Sequence, residues 1–248
     1  MRVLVVKMSA LGDIIHALPV LEYLHQVMPG IEVDWVVEDP FRDILEGNPL
    51  ICRLHVVRTK VWRKKPLAVA TRREISKVRD DLHERNYDLV FDIQGNLKSG
   101  LVDWLTGAED RIGFTREILQ ESINLLFTTR QVPIRRRDYH ITDQYLRLVS
   151  VSFGRDFMGL RLSSDIHTAP EDDEAARTLL ATLSDGLVFL FHYGTTWQTK
   201  FWFMEGWIQL GRKLLETYPD STILLSWGNE AERIWKSGTQ ERIRLRGT

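Results

Sequence analysis

Short apolar runs recur along the chain at Val3–Val6, Val33–Val37, Leu54–Val57 and Leu89–Ile93. They do not alternate with polar residues, which is the pattern of strands buried on both faces of a parallel sheet. Segments with helical character lie between or after them, at Leu18–Met28, Arg42–Leu45, Arg72–Arg85 and Lys98–Leu105. Pro29-Gly30 stops the first, and Asn86-Tyr87-Asp88 reads as a turn into the fourth strand. Strands alternating with helices predict an α/β, doubly wound sheet. A further helix is expected at Ile141–Phe153. The polar stretch Ser163–Asp173 then reads as a linker leading into a helix start, with Pro170 near the first turn and acids at the positive dipole end. After it the alternation restarts: helix Glu174–Leu183, strand Leu187–Phe191, helix Glu205–Thr217, strand Thr222–Ser226. The expected domains are residues 1–165 and 166–248, the second incomplete.

Composition narrows the class. The 248 residues are 44% hydrophobic and 27% charged, a globular balance. A formal net charge of −1 gives no overall field for nucleic acid, so anion recognition must come from local clusters. One cysteine, Cys52, excludes an intrachain disulfide, and the histidines show no metal-ligand spacing. No apolar run approaches the ~20 residues of a membrane span. The expected location is the cytosol, with contact at a membrane surface left open.

Four stretches carry candidate chemistry. The first, Lys7 to His16, joins the first strand to the first helix. In doubly wound folds ligands bind at the carboxyl ends of strands. Gly12 permits close backbone approach or a positive φ, and Asp13 there can act as a general base. Equally, Ser9 and Asp13 are good helix-capping residues. The second, Gly194–Lys200, sets Thr195, Thr196 and Lys200 after a strand, which suits a phosphate or a solvated polar loop. The third is the basic run Lys60–Lys65 in a long connection, joined by Arg72 and Arg73; it suits an anionic acceptor, an anionic membrane surface or plain solvent. The run Arg135–Arg137 shares that ambiguity. The fourth, Ser226–Glu230, follows the last strand; Glu230 can accept from a ribose or begin a helix. Gln94, after the fourth strand, faces the same cleft as Asp13 and is a candidate sugar contact.

Met1–Leu21, with its Ser-Ala-Leu-Gly-Asp-Ile-Ile-His-Ala-Leu-Pro segment, resembles the N-terminus of the ADP-heptose:lipopolysaccharide heptosyltransferases, glycosyltransferase family 9. Stretches 34–38, 61–65, 86–100, 195–202 and 224–233 resemble it too, so the likeness runs from residue 1 to about 233. It implies a GT-B-like architecture of two Rossmann-like domains, the first binding acceptor and the second donor. It implies transfer of L-glycero-D-manno-heptose from ADP-heptose to Kdo of the lipid A inner core, with inversion, without a metal or other cofactor, in the cytoplasm with peripheral contact at the cytoplasmic face of the inner membrane. Asp13 matches the base that deprotonates the acceptor hydroxyl. Thr195, Thr196 and Lys200 match the donor phosphate site, and Glu230 an acid near the ribose. Ser9, Gly12, Lys60, Arg63, Lys64 and Gln94 fall on the acceptor side. The alternatives are another family 9 transferase and a non-catalytic domain that binds an anionic glycolipid.

Two departures stand out. Phe203 occupies the place where the family commonly has proline. The family's Asp-[Ser/Thr]-Gly-x-x-His segment has no counterpart here, and residues 234–248 are expected to fall outside the resemblance. The expectation is a truncated donor domain that binds ADP-heptose poorly.

Overall fold

The computed structural model describes residues 1–136, 138–183, 185–192, 194 and 198–228. Two compact units divide the chain, Met1–Ala169 and Pro170–Thr248. The first contains a six-stranded sheet built from β1 (Arg2–Val6), β2 (Glu32–Glu38), β3 (Arg53–Val57), β4 (Leu89–Asp92), β5 (Arg111–Phe114) and β6 (Arg130–Val132). The strand order is β3-β2-β1-β4-β5-β6, and every pairing is parallel. The carboxyl ends of all six strands therefore lie along one edge. The order reverses between β1 and β4, where loops leaving in opposite directions open a crevice.

The unbroken apolar runs follow from covering both faces. Val3 and Val5 of β1, with Val33, Trp35 and Phe91, belong to one buried cluster. It is completed by helices α1 (Leu11–Ala17), α2 (Pro19–Val27) and α6 (Ile141–Ser150), through Ile14, Leu21, Leu24, Tyr145 and Leu148. Leu4 and Val6, with Val36, Val57 and Val90, belong to the opposite cluster. That side is closed by α4 (Val69–Glu84) and α5 (Leu97–Leu105), through Leu82 and Val102. Alternate residues of one strand thus face two different cores, and a polar side chain on either must find its partners inside the protein.

Several elements depart from the sequence expectation. β5 and β6 are short and open on arginine, so hydropathy did not mark them. They pack closely: a Cβ on Gly113 would lie 2.6 Å from Thr128 Cγ2. The expected helix at Arg42–Leu45 is a 3₁₀ turn, Asp39–Ile44. The basic run expected in a long connection is itself a helix, α3 (Thr59–Lys64). Asn86 takes the left-handed φ of 47° in the turn before β4.

The second unit contains α7 (Pro170–Ala181), β7 (Val188–His192), a 3₁₀ turn at Gln198–Lys200, α8 (Met204–Thr217) and β8 (Thr222–Ser226). β7 and β8 pair in parallel. Buried Ile208 of α8 and the stacked rings of Phe191 and Trp207, 5.0 Å apart, form its core. Two α/β units with parallel sheets are the architecture that the alternation predicts.

One buried charge network staples α4 to the sheet. Asp34 of β2 has no exposed surface. It accepts from Arg85 Nε at 2.7 Å, Arg85 Nη2 at 3.1 Å and the Tyr87 hydroxyl at 2.8 Å. Burial alone would raise its pKa, but bonds from His55, Arg85 and Tyr87 outweigh it and hold the carboxyl at about 2. Its folded pKa lies below the ordinary 3.8. The stabilisation is therefore complete above pH ~4 and is lost as pH falls toward 2, a difference of about 2 kcal/mol. Asp34→Ala leaves Arg85 with only the half-exposed Glu32 as its partner and takes a buried acceptor from Tyr87, and should cost about 3 kcal/mol in urea unfolding at pH 7. It should also remove this part of the acid sensitivity between pH 4 and pH 2.

Candidate active site

The site is built where β1 and β4 end. Past Val6 the chain turns through Lys7, Met8, Ser9 and Ala10 into α1. Four backbone groups of this turn are tied to neighbouring parts of the sheet. The Lys7 carbonyl accepts from Trp35 Nε1 at 2.9 Å, and the Met8 carbonyl from Glu38 N at 3.1 Å. Gln94 Oε1 accepts from both Met8 N and Ser9 N at 3.1 Å. Gln94 is in turn fixed by Asp92, whose Oδ1 accepts from Gln94 N and Gly95 N at 2.9 Å, while its Oδ2 accepts from Asn124 Nδ2 at 2.6 Å. Gln94 is buried. It spans the crevice as a brace, a role that its candidacy as a sugar contact did not foresee.

Asp13 stands on this frame. It is the third residue of α1, and its side chain is 43% exposed. The N-cap is Ala10, which has no side-chain oxygen. Asp13 Oδ2 instead reaches back to Ala10 N at 3.2 Å, the return half of a capping box. The capping reading thus holds from a different position. Ser9 lies one residue before the cap and is half-buried, so it is not the cap expected from its residue type. Gly12 has no positive φ, and a Cβ there would meet nothing within 4 Å. The strained turn that a glycine permits is therefore not its role; it leaves open space beside Asp13.

Lys7 is the residue that sequence reasoning undervalued. Its side chain is 2% exposed, with Nζ 4.0 Å from Asp13 Oδ2 and 5.0 Å from the centroid of the Tyr145 ring. Burial lowers its pKa to about 8 against the opposing pull of Asp13 and Asp92. Burial, then Asp13, raises the Tyr145 hydroxyl well above its ordinary value. Asp103 of α5, wholly buried, is pushed well above the usual carboxylate range by burial first and by Asp92 second. One buried cation and Asp92 are thus set beneath a half-exposed acid. The signal was present: Lys7 is the first residue past a fully buried apolar run, and Asp92 ends the neighbouring one.

The basic helix reaches the same edge. Thr59 donates its hydroxyl to Glu38, the last residue of β2, whose N–H already binds Met8. Lys60, Arg63 and Lys64 of α3 are exposed. Trp62 is turned inward and donates Nε1–H to Glu74 at 2.9 Å, so it anchors α3 to α4 and is not a surface aromatic. In the second unit Lys200 is exposed on the turn after β7. Thr195, Thr196 and Glu230 lie outside the described residues, as does Arg137. The exposed His16 stacks edgewise on His140, and His192 Nδ1 lies 2.9 Å from Ser226 Oγ. Among the described residues no group of three or more His, Cys, Asp or Glu could hold a metal ion, and no helix is long and apolar enough to cross a membrane.

A lysine whose proton leaves near pH 8 in the folded state and near 10.5 in the unfolded one has a definite linkage. Between those values the unfolded chain binds more protons, so stability rises with pH. We expect urea unfolding to gain about 2 kcal/mol from this group between pH 8 and 9.5, at ~1.4 kcal/mol per unit. Lys7→Met should abolish that rise; an unchanged slope would mean that Lys7 is not desolvated.

Comparison with known proteins places this geometry. The family model for glycosyltransferase family 9 (heptosyltransferase) matches residues 75–244, past the point near residue 233 where the resemblance was expected to stop. Lipopolysaccharide heptosyltransferase 1 of Pseudomonas aeruginosa is 33% identical over 234 residues, covering 94% of this chain and 62% of that protein. The Escherichia coli K12 protein of the same name is 31% identical, covering 94% and 70%. The chain thus spans about two thirds of the length of these relatives. E. coli heptosyltransferase WaaC with ADP-2-deoxy-2-fluoro heptose superposes with a TM-score of 0.80 at 29% identity, over 97% of this chain and 73% of that one. E. coli ADP-heptose lps heptosyltransferase II has a TM-score of 0.73 at 16% identity, over 98% and 70%, a likeness of fold. With its family model matched and its GT-B-like α/β units shared with solved heptosyltransferases, this chain belongs to glycosyltransferase family 9.

Proposed function

We propose that this chain transfers a heptosyl group from ADP-heptose to a sugar hydroxyl of the lipopolysaccharide inner core, Kdo attached to lipid A being the acceptor, with inversion at the anomeric carbon. The observation that carries this reading is Asp13: a half-exposed carboxylate at the topological switch point, braced by a backbone turn and backed by buried Lys7. Its exposed oxygen takes the proton of the acceptor hydroxyl as that oxygen bonds to C1 of the heptose. The bond from C1 to the ADP oxygen breaks, and ADP leaves with the electron pair. Attack from the side opposite the leaving group gives inversion.

The first unit serves the acceptor and the second the donor. Lys60, Arg63 and Lys64 supply exposed cations for the carboxylate and phosphates of an anionic acceptor, near the edge that carries Asp13. Ser9 and Gly12 border the open space beside Asp13, and Gln94 holds the turn. On the donor side Lys200 offsets charge gathering on the departing ADP, with Thr195 and Thr196 as hydroxyl partners of the phosphates and Glu230 as acceptor for the ribose. The steps need no metal or other cofactor, because proton removal and charge stabilisation both come from side chains.

The test is a transfer assay with ADP-heptose and Kdo-lipid A, read with the stability of each variant. Asp13→Ala should lower kcat by about 10²–10⁴-fold, the usual worth of a general base. Stability should fall by only ~1 kcal/mol, the worth of a lost cap. Normal turnover in Asp13→Ala would reduce Asp13 to a capping residue and overturn the mechanism. Lys200→Ala should weaken ADP binding in a calorimetric titration while leaving the first unit folded; equal binding would remove Lys200 from the donor site.

A further inference from the structure

Asp103 is a buried acid that the transfer steps leave unused. It lies on the inner face of α5, one turn past Ser99, and has no exposed surface. Ser99 is satisfied there: its hydroxyl donates to the Asn96 carbonyl at 2.9 Å and accepts from Asn96 N at 3.0 Å. Asp103 is not. Neither of its carboxyl oxygens has a hydrogen-bond partner among the described residues. The cation whose field reaches it, Arg111, is engaged elsewhere, with Nε donating to the Phe127 carbonyl at 2.6 Å and Nη1 to the Ala108 carbonyl. A carboxylate held without a donor or a paired cation is strongly disfavoured in a protein interior.

The group that Asp103 meets is a second carboxyl, that of Asp92. Asp92 is also wholly buried, but it is well supplied. Its Oδ1 accepts from Gln94 N and Gly95 N at 2.9 Å, and its Oδ2 from Asn124 Nδ2 at 2.6 Å. An ionised carboxyl offers about four acceptor positions, so these three donors leave room for one more. One proton answers both deficits. We propose that Asp103 is a positioning residue: it keeps its proton and donates it in a hydrogen bond to Asp92, which holds Asp92 as the acceptor that fixes Gln94 and, through Gln94, the Met8–Ser9 turn that leads into the helix of Asp13. Burial and the neighbouring Asp92 both act on Asp103 in the direction that keeps the proton there, as expected for two carboxyls sharing one dry site. The inference rests on the transferase reading only for its effect on turnover.

Three measurements on the full chain test it. The infrared difference spectrum of wild type minus Asp103→Asn at pH 7 should contain the C=O stretch of one neutral carboxylic acid, shifted to lower frequency in heavy water. Carboxylate stretches in its place would show Asp103 ionised and overturn the proposal. An asparagine amide can donate to Asp92 as the protonated acid does, and leucine cannot. Hydrogen exchange of the Met8 and Ser9 amides, measured relative to the amides of β2, should therefore be unchanged in Asp103→Asn and faster by about tenfold in Asp103→Leu. In a transfer assay Asp103→Leu should lower kcat by about ten- to a hundredfold with KM for ADP-heptose within about twofold, and Asp103→Asn should stay within about threefold of wild type in kcat. Exchange that the leucine variant leaves unchanged would remove the positioning role. The asparagine variant is isosteric, so the infrared test stands whether or not the leucine variant folds. The two readings fail separately. A wild type with the infrared band and the exchange pattern but no turnover loses the transferase reading alone, and one with normal turnover but no band loses this proposal alone.

Discussion

The arrangement of the first unit depends on one side-chain carbonyl. In a sheet ordered β3-β2-β1-β4-β5-β6 the chain leaves β1 and β4 in opposite directions, and the gap between them has no main-chain partner to close it. The amides of Met8 and Ser9 would otherwise face that gap unpaired, at a cost of about 1–3 kcal/mol each. Gln94 Oε1 accepts both. Asp92 and Asn124 hold Gln94 in place from behind. Everything that Asp13 does follows from this brace, because its helix begins where the braced turn ends.

The charges around that brace make sense only as a set. A buried lysine is costly, and its lowered pKa is the measure of that cost. Its position offsets part of it, since Asp13 and Asp92 both favour the charged form. Asp103 acts the other way. Burial first, and the neighbouring Asp92 second, push its carboxyl well above the usual carboxylate range. Asp13, half in solvent, is left available to a substrate while its other contacts fix its direction.

Much of this was legible in the chain. Inner strands β1, β2 and β4 announce themselves because both faces are buried, and the parallel α/β arrangement follows from their spacing. β5 and β6 do not, because they are only four and three residues long and each opens on arginine, so that pairing, not hydropathy, makes the strand. Asp13 was legible as a chemical group but not as the third residue of a helix capped by alanine. The basic run was legible as charge, but its helix was not: Thr59–Lys64 is six residues long and is held by Trp62 and Thr59 reaching partners distant in sequence. Lys7 was visible at a strand end; its burial, which gives it meaning, depends on Tyr145 packing from α6.

The contrast between the two kinds of cation in the first unit is the last step. Lys7 is buried, desolvated and paired with a single acid, so it acts on Asp13 at short range and is insensitive to salt. Lys60, Arg63 and Lys64 are exposed and form no ion pair among the described residues, so they act at longer range on whatever anion approaches, and salt weakens them. In the proposed reading, one set lies beside the reacting group and the other gathers a charged partner. A chain with almost no net charge can do both because the two sets are separated by the sheet edge, with Glu38 as the link between them. The placement of the charges, and not their number, therefore decides what this edge of the sheet can do.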